Sequence, residues 1–357
     1  MSIARRTGLV GALLATAAAG AAGGLALERR AVGRTRQGPD PDAAETWGEL
    51  PADRVHEVLA DDGVPLHVEE VGPADAPLTV VLAHGYTQEL AVWHFQRKAF
   101  AADPAGARYV FYDQRSHGRS GRSPHEHATI DQLGRDLSRI LEVTAPEGPV
   151  VLVGHSMGGM TIMALADQQP ALFGSRVVGV ALVATSTGKL ADVTFGLPAA
   201  LTPVSRRVLP FLTRGMRTRP SAFERGRALG TDLGYLVAKR MAFGTTQVSP
   251  SLVAFVEKMT ADCPVDVIAE FYDTFLTHDK LEAIQVLRGV DVEIVIGTLD
   301  RLTPVEHSRA MAEFLPDAEL VVVEGAGHMV QLERPALVTA RLSELVARAA
   351  RRRLTSA

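Results

Sequence analysis

Residues Val150-Val151-Leu152-Val153 run apolar and break directly into Gly154-His155-Ser156-Met157-Gly158, and an apolar stretch from Gly159 to Ala166 follows. A buried strand, a serine flanked by glycines two residues away on each side, and a buried helix leave few folds available. The turn must be sharp, and a Cβ at either glycine would crowd the neighbouring chain. The serine is then lifted on a strained backbone, with the helix's amino end and its free N–H groups beneath it. Such a serine is placed to act as a nucleophile. The competing reading is a glycine-rich turn with an incidental serine, which is what Gly-x-Ser-x-Gly means without this context.

The rest of the chain repeats the strand-then-helix rhythm. Val55–Leu59 and Pro65–Val71 alternate around Asp61-Asp62-Gly63, a hairpin pattern. Leu78–Ala83, Arg108–Tyr112, Val177–Ala184, Val290–Gly297 and Glu319–Val323 read as apolar strands. Thr129–Val143 has helical spacing, with Ile130, Leu133, Leu137, Ile140 and Leu141 on one face. Apolar strands alternating with helices predict an α/β fold, a doubly wound and mostly parallel sheet covered on both faces. Between residues 186 and 288 the rhythm fails. Helical patterns such as Leu252–Met259 and Val267–Leu276 predict a helical insertion over the sheet's carboxyl edge, a lid that closes a pocket and selects the substrate. Its apolar patches, Phe195–Pro198 and Val208–Leu212, line an acyl pocket or pack the lid on the body, and packing is the simpler role.

Charge bounds the partners. The net charge is −4, but residues 1–40 carry +4 and residues 348–357 another +4, so residues 41–347 carry −12. An acidic body argues against nucleic acid as a partner. Cys263 is the only cysteine, which rules out an intrachain disulfide. Residues 7–27 are uncharged between arginine pairs, long enough to cross a bilayer, yet 13 of the 21 are Ala or Gly. A cleaved signal (Arg5-Arg6 included), an uncleaved membrane anchor and a soluble tail all fit, so membrane association or export stands against a cytoplasmic alternative. The chain divides into a signal-like or anchor segment (1–30), a linker (31–54), a body (55–347) and a basic carboxyl-terminal tail (348–357). Oligomeric state is not readable.

A serine hydroxyl needs a base, and the base an orienting carboxylate. The strand Val292–Ile296 runs into Gly297-Thr298-Leu299-Asp300, and Glu319–Val323 into Glu324-Gly325-Ala326-Gly327-His328. Ser156, Asp300 and His328 thus each follow a strand, and those ends converge on the ligand-binding edge of a doubly wound sheet. Asp266, Asp273 and Asp279 are the alternative acids. His125 and His127 have no matching ligand spacing, so no metal is assigned.

These segments, with His84-Gly85-Tyr86 and Asp113 to Ser120, resemble the α/β-hydrolase superfamily from about residue 55 to 347, in particular its lid-bearing serine esterases and lipases. The resemblance implies Ser156 as nucleophile, His328 as general base and acid, Asp300 as orienting acid, and the backbone N–H groups of Tyr86 and Met157 as oxyanion donors. It makes His84 and His155 supports and implies no cofactor. Hydrolysis of a small or lipophilic carboxylic ester is the expected reaction. Serine at 156 departs from the aspartate of epoxide hydrolases and haloalkane dehalogenases, and His84–Gln88 lacks the Gly-Gly-Pro-Gly of proline-releasing peptidases. Thioester or C–C hydrolysis, cofactor-free haloperoxidase-type chemistry and a non-catalytic ligand receptor stay open.

Overall fold

The computed structural model describes residue 33 and residues 38–356 apart from 103–105, 194–201, 230 and 246. The segment 1–30 and the patch Phe195–Pro198 lie outside the described residues. Among the described residues no helix is long and apolar enough to cross a membrane.

Eight strands form one sheet: β1 (Arg54–Leu59), β2 (Pro65–Val71), β3 (Thr79–Ala83), β4 (Arg108–Tyr112), β5 (Val150–His155), β6 (Val177–Val183), β7 (Asp291–Gly297) and β8 (Glu319–Val323). Their order is β1-β2-β4-β3-β5-β6-β7-β8. The β1–β2 hairpin and the β2–β4 pair are antiparallel, and every later pair is parallel. Strand order reverses at β3, so a crevice opens at the carboxyl ends of β3 and β5.

In chain order the helices are α1 (His94–Phe100), α2 (Ile130–Thr144), α3 (Met157–Gln168), α4 (Thr202–Thr218), α5 (Pro220–Leu229), α6 (Thr231–Ala242), α7 (Pro250–Asp262), α8 (Val265–Thr277), α9 (Val305–Phe314), α10 (Val330–Glu333) and α11 (Pro335–Ser356). Strand alternation divides the core in two. Val80, Leu82, Val151 and Val153 face Trp93, Phe100, Leu342 and Leu345, whereas Val81, Ala83, Leu152 and Leu182 face Leu137, Ile140, Ile162 and Met163. The runs read as continuously apolar because both faces are buried. Thr129 caps α2 by accepting the Gln132 N–H at 3.1 Å.

Helices α4 to α8 fill the interval between β6 and β7, where the described residues contain no strand. Three local expectations need correction. Residues 38–53 are not a free linker. Trp47 stacks on Phe255 at 5.0 Å, Arg97 donates to the Leu50 and Pro51 carbonyls at 3.0 and 2.8 Å, and Asp40 accepts from the Ser251 hydroxyl at 2.9 Å. Residues 348–356 do not form a separate tail, because α11 continues through them and Arg348 pairs with the buried Glu293 at 3.1 Å. In the patch Val208–Leu212, Phe211 and Leu212 are not packed inward: they are 79% and 43% exposed.

Candidate active site

Ser156 sits between β5 and α3 with φ +52° and ψ −116°, outside the regions L-residues favour. Its N–H donates to the Val183 carbonyl at 2.9 Å, and its carbonyl accepts from the Thr185 hydroxyl at 2.7 Å. The two glycines are there for space. A Cβ on Gly154 would lie 2.5 Å from the Gly158 backbone, and one on Gly158 would lie 2.2 Å from the Ala83 carbonyl oxygen. Met157 opens α3, where an N–H has no partner one turn earlier. Among the described residues neither its N–H nor that of Tyr86 donates to a backbone carbonyl in a turn or cap.

Asp300 follows β7 and His328 follows β8, and the fold brings them together: His328 Nδ1 is 2.8 Å from Asp300 Oδ2. Both are buried. The carboxylate is held from the other side too. Asp300 Oδ1 accepts the Leu302 and Thr303 N–H groups at 2.8 and 2.9 Å, and Oδ2 accepts the Thr303 hydroxyl at 2.8 Å. A carboxylate only accepts, so the proton between Asp300 and His328 sits on Nδ1, which leaves Nε2 free to take another. The alternative acids are engaged elsewhere, Asp266 with Arg122 and Asp273 with Arg217, while Asp279 lies where residues 188 and 279 form an isolated bridge.

The neighbouring histidines are locked in place. His84 Nε2 accepts the Gln114 N–H at 2.9 Å, and burial lowers its pKa to about 4. His155 Nε2 lies 3.0 Å from the His328 carbonyl and its Nδ1 3.1 Å from Gln88 Oε1. Burial, with His328 beside it, pushes the His155 pKa well below the usual range. A neutral ring carries one proton, so it donates to one of these two oxygens at a time. Asp113 accepts the Leu90 and Arg119 N–H groups at 2.7 and 2.9 Å and holds the turn that leads to Ser120.

Three supporting residues lie outside the motifs of the sequence. Gln88 Oε1 accepts the Gly85 N–H at 3.1 Å, and its Nε2 points to Met329 Sδ at 3.4 Å, tying the Tyr86 loop to the His328 loop. Glu333 accepts the Gly327 N–H at 2.6 Å and the Gly244 N–H at 3.0 Å. The signal that could have found Thr303 is its Asp-x-x-Thr spacing from Asp300, in which an Asp side chain bonds forward to the chain two and three residues on. Nothing comparable marks Gln88 or Glu333.

Ser156 and His328 line one cavity of about 520 Å³ together with Tyr86 and Gln88. The rest of its wall comes from the helices between β6 and β7 and from the loops beside the site. Val237, Ala238, Met241 and Ala242 of α6, Val256 and Ala261 of α7, and Ile268 of α8 make it mostly apolar. Tyr86 is fixed to that wall, its hydroxyl donating to the Ile268 carbonyl. Among the described residues no group of three or more His, Cys, Asp or Glu side chains could hold a metal ion.

A strained serine at a strand-to-helix turn, on this sheet, with an Asp–His pair beyond the ends of β7 and β8, defines the class of α/β enzymes that react at the carboxyl edge. The chain belongs to the alpha/beta hydrolase family, whose model matches residues 80–341. It is 26% identical over 290 residues to the proline iminopeptidase PfmaB of Pestalotiopsis fici, covering 80% of this chain and 97% of that one. A shorter stretch of 115 residues is 38% identical to RutD of Variovorax paradoxus, named there as a carbamate hydrolase, and spans 32% of this chain but only 42% of that protein. Among solved structures, a thermophilic esterase from Thermogutta terrifontis superposes with a TM-score of 0.64 at 21% identity, over 83% of this chain and 99% of that one. The enol-lactonase of Burkholderia xenovorans gives 0.64 at 22%, over 82% and 100%. At such identities these structures speak for the fold alone.

Proposed function

We propose that the protein is a serine hydrolase that cleaves a small or lipophilic carboxylic ester. The observation that carries this reading is the Asp300–His328 pair opening on the same cavity as a serine held at positive φ. Ser156 Oγ attacks the carbonyl carbon while His328 Nε2 takes its proton. The Tyr86 and Met157 N–H groups receive the negative charge that develops on the carbonyl oxygen. The intermediate collapses, the C–O bond to the alcohol breaks, and the alcohol leaves with the proton from His328. Water repeats the sequence on the acyl-enzyme, losing a proton to His328, and Ser156 Oγ departs with it. Asp300 holds the ring and stabilises its charged form. No cofactor enters any step.

The apolar wall supports an ester with a lipophilic part, and in this reading helices α4 to α8 are the lid that admits it. The side chain at 156 and the loop at 84–88 speak against transferring the peptidase activity named for PfmaB or the epoxide opening named for other relatives. The test is covalent labelling by a fluorophosphonate, then turnover of p-nitrophenyl esters of graded chain length. Labelling should map to Ser156, and Ser156→Ala should lose at least about a thousandfold in kcat. A folded protein that neither labels at Ser156 nor hydrolyses any ester in the series would sink the proposal.

A further inference from the structure

Residues 202–229, which span α4 and α5, contain seven arginines and a single acid, Glu224, a net charge of +6 inside a body that is acidic overall. Of the five whose side chains the structure describes, Arg217 pairs with Asp273 at 3.3 Å and Arg227 with Glu224 at 2.6 Å. Arg214, Arg219 and Arg225 are exposed and, among the described residues, in no ion pair. On the same helix as Arg214, Phe211 is 79% exposed and Leu212 43%. Soluble surfaces carry scattered apolar side chains without consequence, but an exposed aromatic beside unpaired arginines is a specific combination.

We propose that this face of α4 and α5 docks on an anionic lipid surface. Both chain ends carry +4 and the same face of a second copy carries +6, so neither the protein's own termini nor a face-to-face pairing of this surface is attracted. An anionic partner is required. A bilayer meets both demands, since its headgroups neutralise arginines and its interface accepts Phe and Leu. A nucleic acid duplex neutralises arginines but offers Phe211 and Leu212 no apolar layer. Position adds a consequence, because α5 also supplies Glu224 and Arg227 to the cavity that holds Ser156. A lipophilic ester dissolved in the bilayer would meet the enzyme on the side where that cavity is built.

The experiment is sedimentation of the full-length protein with vesicles of phosphatidylcholine alone and of phosphatidylcholine mixed with phosphatidylglycerol, at low and high salt. The protein should pellet with the mixed vesicles and be released by salt. Replacing these three arginines together (Arg214→Gln, Arg219→Gln, Arg225→Gln) should lower partitioning on the order of a hundredfold. Phe211→Ser should lower it severalfold while leaving the salt dependence alone. Both variants should keep the wild-type circular dichroism and rate on a water-soluble ester, which separates docking from misfolding. Ser156→Ala should bind vesicles normally, which separates docking from the ester reading. Equal binding to neutral vesicles, a triple variant that pellets like wild type, or capture of duplex DNA in place of vesicles would each overturn the proposal.

Discussion

At Ser156 a positive φ is held because the chain on every side leaves no other path. The Gly158 position touches the Ala83 carbonyl so closely that any side chain there collides with backbone, which cannot swing aside. Gly158→Ala should therefore cost several kcal/mol of stability, roughly the scale of strained or overpacked sites, and abolish activity with it; thermal melting read beside fluorophosphonate labelling checks both. Thr303 tests a subtler point. Thr303→Val keeps the shape and the backbone N–H but removes the hydroxyl that holds Asp300 Oδ2. Loss of one hydrogen bond to a carboxylate is worth about 1.5–3 kcal/mol, so kcat should fall roughly ten- to a hundredfold with KM little changed. An unaltered kcat would mean that the two backbone donors suffice to aim Asp300. The placement of Ser156, Asp300 and His328 at strand ends could be read from the sequence because each follows an apolar strand. Gln88 could not, because a glutamine in a loop reveals its partners only when two loops meet.

Among the elements, the strands were legible as apolar runs and α2 by its periodicity. The segment 38–53 has the Gly, Pro and Asp of a linker, yet one aromatic, Trp47, pins it to Phe255 and Phe95. The sequence also hid how α6 ends. Its last carbonyls lack partners within the helix, and the residues following Asp300 and His328 supply them. Arg301, next to Asp300, donates to the Arg240 and Phe243 carbonyls at 2.7 and 3.2 Å, and Met329, next to His328, donates to Ala242 at 2.8 Å. Glu333 closes the junction by holding Gly327 and Gly244 at once. The wall that lines the cavity and the loops that carry Asp300 and His328 are therefore one joined piece. Glu333→Gln leaves a single accepting oxygen where two N–H groups point, and turns an NH2 donor toward the other. We expect kcat/KM to fall about tenfold, with a larger loss for esters long enough to reach α6 than for acetate esters. The ratio of rates on long and short esters reads this directly. A uniform loss across chain lengths would mean that Glu333 steadies His328 alone.

For the whole molecule, acid should be the weak point. His84, His117, His155 and His278 are buried, and burial lowers His84 and His278 to about 4, His117 to about 3, and His155 well below its usual range. An unfolded chain protonates these rings near pH 6.5. Their folded values are depressed, so between about pH 6.5 and 4 the unfolded chain binds protons that the folded one refuses. Stability is complete above pH 6.5 and drains as pH falls. Four such groups set a slope of up to about 5 kcal/mol per pH unit near pH 5. Glu69 adds to the loss lower down: burial opposes its charge, but His67, Arg97 and Arg119 more than offset that and hold it at about 2, so its contribution disappears as pH falls from about 4.5 toward 2. Against a typical total of about 5–15 kcal/mol, the histidines alone should unfold the chain between roughly pH 4 and 5. Urea denaturation at pH 7, 6 and 5 measures the slope, and His278→Gln should reduce it by one proton. Equal stability at pH 7 and 5 would show that these rings gain partners on protonation.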